Sequence, residues 1–153
     1  MTARKAGGRL VVVSNRVALP RQGAPGGLAS ALLAALDEHG GLWFGWSGKV
    51  AGETAAELHQ QQEGKIDYAT IDLSRTDHDD FYTGFANGAL WPLLHYRPDV
   101  VDYRRSHLAG YLRVNEVFAE KLQQLIKPDD VIWVHDYHLI PLASMLRRRG
   151  VHN

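Results

Sequence analysis

Arg9-Leu10-Val11-Val12-Val13-Ser14 is a short β-branched run preceded by glycines, the pattern of a strand buried in a parallel sheet. A loop carrying Pro20, Gly23 and Pro25 follows. Gly26-Gly27 then opens a helix to about Glu38, with Leu28, Leu32, Leu33 and Leu36 on one face, and His39-Gly40-Gly41 stops it. Leu42 to Ser47 is apolar and aromatic enough for a second strand. Lys49 to Lys65 turns polar around Glu57-Leu58-His59-Gln60-Gln61-Gln62-Glu63, which predicts an exposed helix or a surface excursion. Tyr68 to Leu73 alternates as a third strand. Asp77 is placed to cap a helix carrying Asp79, Asp80, Phe81 and Tyr82, and Trp91-Pro92 interrupts the chain before His95-Tyr96-Arg97.

The clearest helical period runs from Asp102 to Ile126, where Leu108, Tyr111, Leu112, Asn115, Phe118, Leu122 and Leu125 recur on one face. Lys127-Pro128-Asp129-Asp130 breaks it. Val131-Ile132-Trp133-Val134 then predicts a core strand, and Leu139 to Arg149 a helix that Gly150 closes. Strands and helices in this order predict an α/β fold, a Rossmann-like parallel sheet flanked by helices. The alternation calls for another strand after Val151-His152-Asn153, so a lobe cut within its domain is expected.

Composition narrows the classes. A chain of 153 residues with 45% hydrophobic and 22% charged residues suits one soluble domain. Lys plus Arg equals Asp plus Glu at 17 each, which argues against a nonspecific nucleic-acid binder while leaving room for a small phosphorylated ligand. Without cysteine, neither disulfides nor thiolate metal sites arise. Residues 1–8 are basic but lack the apolar run of a secretory signal, and read as a disordered tail. No apolar stretch approaches the ~20 residues of a membrane span, so cytoplasm is the default.

In open α/β sheets ligands bind beyond the carboxyl ends of strands, where Ser14-Asn15-Arg16, Trp46-Ser47 and His135-Asp136 fall. Gly26-Gly27 at a helix start suits an anion, or simply a turn; the spacing is not that of a dinucleotide fingerprint. Arg16 offers a fork of donors to a phosphate, or a structural salt bridge. Tyr82 and Trp91 would bind the same anion, stack on a sugar, or simply fill the core. His135-Asp136-Tyr137-His138 lacks a third ligand at metal-site spacing, so no metal is called for, and Asp136 at a strand tip suits sugar hydroxyls better. No nucleophile elbow occurs.

Six blocks carry a resemblance. They are Leu10 to Arg16, Gly26-Gly27-Leu28, Gly40 to Gly48, Leu90-Trp91-Pro92 with His95-Tyr96-Arg97, Gly110 to Asn115, and Ile132 to Leu139. In this order the chain resembles the amino-terminal part of the trehalose-6-phosphate synthase family, retaining glycosyltransferases of the GT-B type. The resemblance implies transfer of glucose from UDP-glucose to glucose 6-phosphate, by front-face substitution with no required metal or cofactor. It places the acceptor phosphate on Arg16, Tyr82 and Trp91, the acceptor sugar on Asp136, Trp46 in the pocket wall, and the donor diphosphate near Gly26 and Gly27. Residues 9–153 would be the acceptor lobe of an incomplete, amino-terminal piece; the donor lobe is absent, so no transfer by this chain alone is expected. It implies no nucleic-acid or membrane partner and is compatible with a homo-oligomeric parent. Alternatives are a relative using another acceptor such as glycerol 3-phosphate, or a non-catalytic sugar-phosphate module.

Overall fold

The computed structural model describes residues 8–20, 26–53 and 56–153. The expected tail, apart from Gly8, and the loop residues Gly23 and Pro25 lie outside the described residues. The chain runs through β1 (Leu10–Arg16), α1 (Gly27–His39), β2 (Gly41–Ala51), β3 (Leu58–Glu63) and β4 (Ile66–Ser74). A continuous helical segment follows: α2 (Arg75–Asp77), a π-helix (His78–Leu90) and α3 (Trp91–Leu94). The chain then forms α4 (Arg105–Gln123), β5 (Val131–Val134) and α5 (Leu142–Arg148). No helix among the described residues is long and apolar enough to cross a membrane.

The sheet has the order β3-β4-β2-β1-β5, parallel throughout except for β3, which pairs antiparallel with β4. Alternating residues supply two cores, as the period of two in a strand demands. Val11 and Val13 of β1, with Leu42, Phe44 and Trp46 of β2, pack beneath Phe81, Tyr111 and Phe118. Val12 and Trp43 point the other way, onto Leu32 and Leu36 of α1. The chain leaves β1 toward β2 on one side and returns at β5 on the other. That reversal opens a crevice at the carboxyl ends of β1 and β5, the usual ligand site of an open parallel sheet.

The structure corrects several expectations. The polar stretch around His59 to Gln62 is exposed at the surface, as expected, but it is the edge strand β3 and not a helix; a cross-strand partner outweighs its weak local propensity. Asp77 lies inside the helix, and the cap is Ser74, whose side chain accepts from the Asp77 N–H at 3.0 Å. Trp91-Pro92 does not interrupt: α3 continues the π-helix through both residues, and the chain leaves the helix only at His95. Strand β5 is core on one face only, where Ile132 and Val134 pack against the main cluster. On its other face Val131 is 56% and Trp133 47% exposed, with no helix among the described residues packed over them. The last helix begins only at Leu142, after a short 3-10 turn at Tyr137–Leu139. Leu28, counted with the apolar face of α1, is exposed, and so is Leu112 of α4.

Candidate functional site

One side of the crevice is built at the end of β1. Ser14 is buried there, accepts from Trp43 Nε1 at 2.8 Å and donates to the Arg16 carbonyl at 2.9 Å. The pairing of β1 with β2 slips between Ser14 and Arg16. A bulge of this kind re-aims the side chain that follows it. Gly45 makes the bulge possible, since a Cβ there would lie 2.2 Å from the Ser14 carbonyl oxygen. Past the bulge the Arg16 guanidinium lies along Gly48, where a Cβ would approach Nε to 2.8 Å. Among the described residues no carboxylate stands within ion-pair distance of Arg16, so the structural salt bridge is not made there.

The opposite side is built beyond β5. His135 extends the ladder by donating its N–H to the Val13 carbonyl at 2.8 Å. Asp136 then turns the chain with a φ of 77°, a left-handed conformation that non-glycine residues hold only where their surroundings impose it. Its Oδ1 accepts from the Tyr137 N–H at 2.8 Å and starts the 3-10 turn. Three clamps hold that turn. Tyr111 Oη donates to the Tyr137 carbonyl at 2.7 Å, Asn115 Nδ2 to the His138 carbonyl at 3.0 Å, and Tyr137 Oη to Asn87 Oδ1 at 2.8 Å. Tyr82 and Asn87 are one i→i+5 turn apart, so the π-helix presents both to this segment.

Between the two sides lies a cleft of about 270 Å³, lined by Asn15, Arg16, Gly26, Tyr82, Asp136 and His138 among others. Four of the expected site residues, Arg16, Gly26, Tyr82 and Asp136, thus meet on one surface. Gly27 stands beside Gly26 as the first residue of α1. Trp46 is buried behind Tyr82, ring centroids 5.8 Å apart, with its Nε1 on the Lys49 carbonyl at 2.7 Å. Trp91 does not line the cleft; it is 48% exposed and reaches the site through the Tyr137 ring at 5.4 Å. These rings form a chain of contacts in the order Trp46, Tyr82, His138, Tyr137, Trp91, with centroid separations of 5.8, 5.6, 4.1 and 5.4 Å; the two inner contacts are stacked and the two outer ones tilted.

Burial holds the His138 and His135 pKa below the ordinary histidine value, against a smaller opposing pull from Asp136. Both rings are therefore mainly neutral at pH 7. The Tyr137 hydroxyl is pushed up to about 12 by burial first, then by Asp136 and Tyr82, so it stays a donor. A guanidinium on one side, a carboxylate on the other and a phenol on the wall suit a compact molecule that is anionic at one end and hydroxylated at the other. Sequence reasoning missed Gly45, Gly48, Asn87 and Tyr111 as builders of this site. For Asn115 the signal was present: an amide on the apolar face of α4, fully buried here.

The family model described as glycosyltransferase family 20 matches residues 10–153. A trehalose-6-phosphate synthase from Sinorhizobium fredii is 58% identical over 150 residues, which are 95% of this chain and 32% of that protein. The solved structure of an alpha,alpha-trehalose-phosphate synthase (UDP-forming) from Burkholderia vietnamiensis superposes with a TM-score of 0.89 at 50% identity, covering 95% of this chain and 32% of that one. A Burkholderia xenovorans counterpart, in complex with glucose-6-phosphate, gives a TM-score of 0.89 at 51% identity over the same shares. The chain spans about a third of the length of these relatives.

Proposed function

The chain belongs to glycosyltransferase family 20, and we propose from that premise that it is the acceptor-binding lobe of a retaining glucosyltransferase. The reaction is transfer of glucose from UDP-glucose to glucose 6-phosphate, giving trehalose 6-phosphate and UDP. The observation that carries this reading is the meeting of Arg16 and Asp136, from strands on either side of the topological reversal, on one cleft. A Burkholderia xenovorans relative was solved with glucose-6-phosphate and an Escherichia coli one with UDP-2-fluoro glucose, which supports the substrate pair.

In this reading Arg16 grips the acceptor phosphate as a two-pronged donor and the Tyr82 hydroxyl adds a third hydrogen bond. Asp136 accepts from sugar hydroxyls, which orients the attacking oxygen. Trp46 backs Tyr82, and Trp91, which lies outside the cleft here, would have to swing in past Tyr137 to meet the phosphate. Gly26 and Gly27 bring the first turn of α1 to the donor diphosphate, where the positive end of the helix dipole favours charge on the leaving group. Residues 9–153 act as the acceptor lobe of a GT-B enzyme working in the cytoplasm. The lobe's contribution to rate is positioning two substrates, with no covalent bond formed to the enzyme.

A titration tests this directly. The ¹⁵N-labelled chain is titrated in turn with glucose 6-phosphate, glucose and inorganic phosphate, and backbone and arginine side-chain resonances are followed. Glucose 6-phosphate is expected to shift Arg16, Tyr82 and Asp136 together, and each half-ligand to shift only its own end more weakly. Shifts confined to residues outside the cleft, or none at all, would overturn the acceptor reading.

A further inference from the structure

His138 has no part in the function proposed above, yet it is buried in the cleft wall. Its side chain is only 8% exposed. It lies nearly parallel to Tyr82, at 14° and 5.6 Å between centroids, and 4.1 Å from the Tyr137 ring on its other flank. Asn115 holds its carbonyl from α4. The ring is therefore held between two aromatic neighbours, and its backbone is held from α4. Both of its nitrogens are nevertheless buried without a hydrogen-bond partner among the described residues.

The nearest charge is Asp136. Its Oδ2 stands 3.9 Å from His138 Nδ1, within ion-pair range but too far for a hydrogen bond. Asp136 Oδ1 is already taken by the Tyr137 N–H. An orphaned ring nitrogen and an uncommitted carboxylate oxygen thus face each other, about 1 Å short of a hydrogen bond. Of the two, only Asp136 can move: its side chain is 44% exposed, whereas His138 is held.

We infer that His138 is a positioning residue of this cleft, bracing Tyr82 by stacking and presenting an Nδ1–H to Asp136, and that sugar binding closes the His138–Asp136 contact. The inference rests on the acceptor reading and assigns a device within it. A carboxylate beside Nδ1 favours the tautomer with its proton there. Once Oδ2 accepts from that N–H, the carboxylate is fixed in direction, and its other lone pairs point at sugar hydroxyls. His138 touches no reacting atom; it acts through Asp136 and Tyr82.

The experiment compares His138→Phe, which keeps the stack and loses both nitrogens, with His138→Asn, which keeps an N–H near the Nδ1 position and loses the ring. Affinities for glucose 6-phosphate and inorganic phosphate are measured by NMR titration of each folded chain. His138→Phe is expected to bind glucose 6-phosphate about tenfold more weakly, the scale of one hydrogen bond to a charged group, with inorganic phosphate little changed. His138→Asn should recover part of that loss. A His138→Phe chain that binds glucose 6-phosphate like the parent, or that loses phosphate and sugar phosphate equally, overturns the inference.

A second measurement covers variants that fail to fold. The ring ¹⁵N shifts of His138 in the unsubstituted chain are expected to show the Nδ1–H tautomer and to move on addition of glucose 6-phosphate. An Nε2–H tautomer overturns the inference whatever the ligand does. If glucose 6-phosphate shifts no cleft residue, it is the acceptor reading that has failed. The ligand-free tautomer then still decides whether His138 is set against Asp136.

Discussion

Two arginines stand at opposite ends of the first strand, and the chain uses them differently. Arg9, just before β1, donates through Nη2 to the Leu125 carbonyl and to Asp130 Oδ2, both at 2.8 Å, with Asp67 at 3.9 Å. Asp130 is buried and also accepts from the Lys127 N–H at 2.8 Å, so this end of the strand is closed by a satisfied polar network. Arg16, at the other end, meets no carboxylate among the described residues and faces the cleft. The residue type is the same and the strand is the same. What separates structural from ligand-facing use is whether the surrounding chain has already occupied the guanidinium's donors.

Removing each arginine should separate the two uses. Arg9→Ala leaves Asp130 buried at 2% side-chain exposure without its cation. Breaking a buried pair from one side costs about 3–5 kcal/mol, and Arg9's partial exposure points to the lower end, about 3 kcal/mol. Urea denaturation followed by Trp fluorescence should show this as a lower midpoint; an unchanged midpoint would erase the contrast. Arg16→Ala should do the reverse. Stability stays within about 0.5 kcal/mol, as for a surface change, while glucose 6-phosphate binding weakens by roughly 2 kcal/mol or more, the scale of a bidentate charged contact. An Arg16→Ala chain that binds glucose 6-phosphate unchanged would refute the phosphate role.

Much of this was legible in the sequence, and the exceptions share a cause. β1, α1, β2, β4, α4 and the α/β class follow from local periodicity, because both faces of the sheet are covered and the pattern is strong. Arg16, Tyr82, Asp136 and Gly26 were named and do converge, since strand ends in a parallel sheet share one rim. Arg9's structural role was not legible, because its main partner Asp130 is 121 positions away. β3 was missed because an edge strand's apolar face is short and its pairing is tertiary. A helix carrying Asp79 to Tyr82 was expected and is there, but nothing local marked it as a π-helix, whose i→i+5 turn sets Tyr82 and Asn87 on one face. Trp91 stands farther from the cleft than its expected role suggests, because α3 carries it past the wall on the far side of Tyr137.

A smaller change should draw the two ends together. Gly48→Ala adds a Cβ at 2.8 to 3.0 Å from the Arg16 guanidinium, at a backbone φ of 89°. The strained backbone should cost about 1 kcal/mol of stability. The displaced guanidinium should also weaken glucose 6-phosphate binding, though less than Arg16→Ala does, since a long side chain yields more cheaply than it can be replaced. Paired measurements of denaturation midpoint and affinity check both. A variant losing stability but no affinity would mean that the resting place of Arg16 against Gly48 is not its binding pose.

The smallest expected effect is a difference in how the two ends respond to acid. Arg9's partners among the described residues include no histidine, whereas His135 and His138 flank Asp136 at the cleft. Both have folded pKa values below the unfolded 6.5, chiefly through burial. The unfolded chain therefore binds more protons than the folded one as the pH drops below 6.5, and stability falls in that window. Well above 6.5 both states are neutral at these rings and their contribution is constant. Acidification from pH 7.5 to 5.5 should thus lower amide protection factors, exchange rates taken relative to the intrinsic rate at each pH, first around residues 135–139, with the amides of the Arg9–Asp130 network following later. Replacing His138 by Phe should flatten part of the pH slope of stability, leaving the share due to His135. If the slope is unchanged in that variant, the burial of His138 is not what couples this end of the strand to pH, and the asymmetry between the two arginines is one of hydrogen bonding alone.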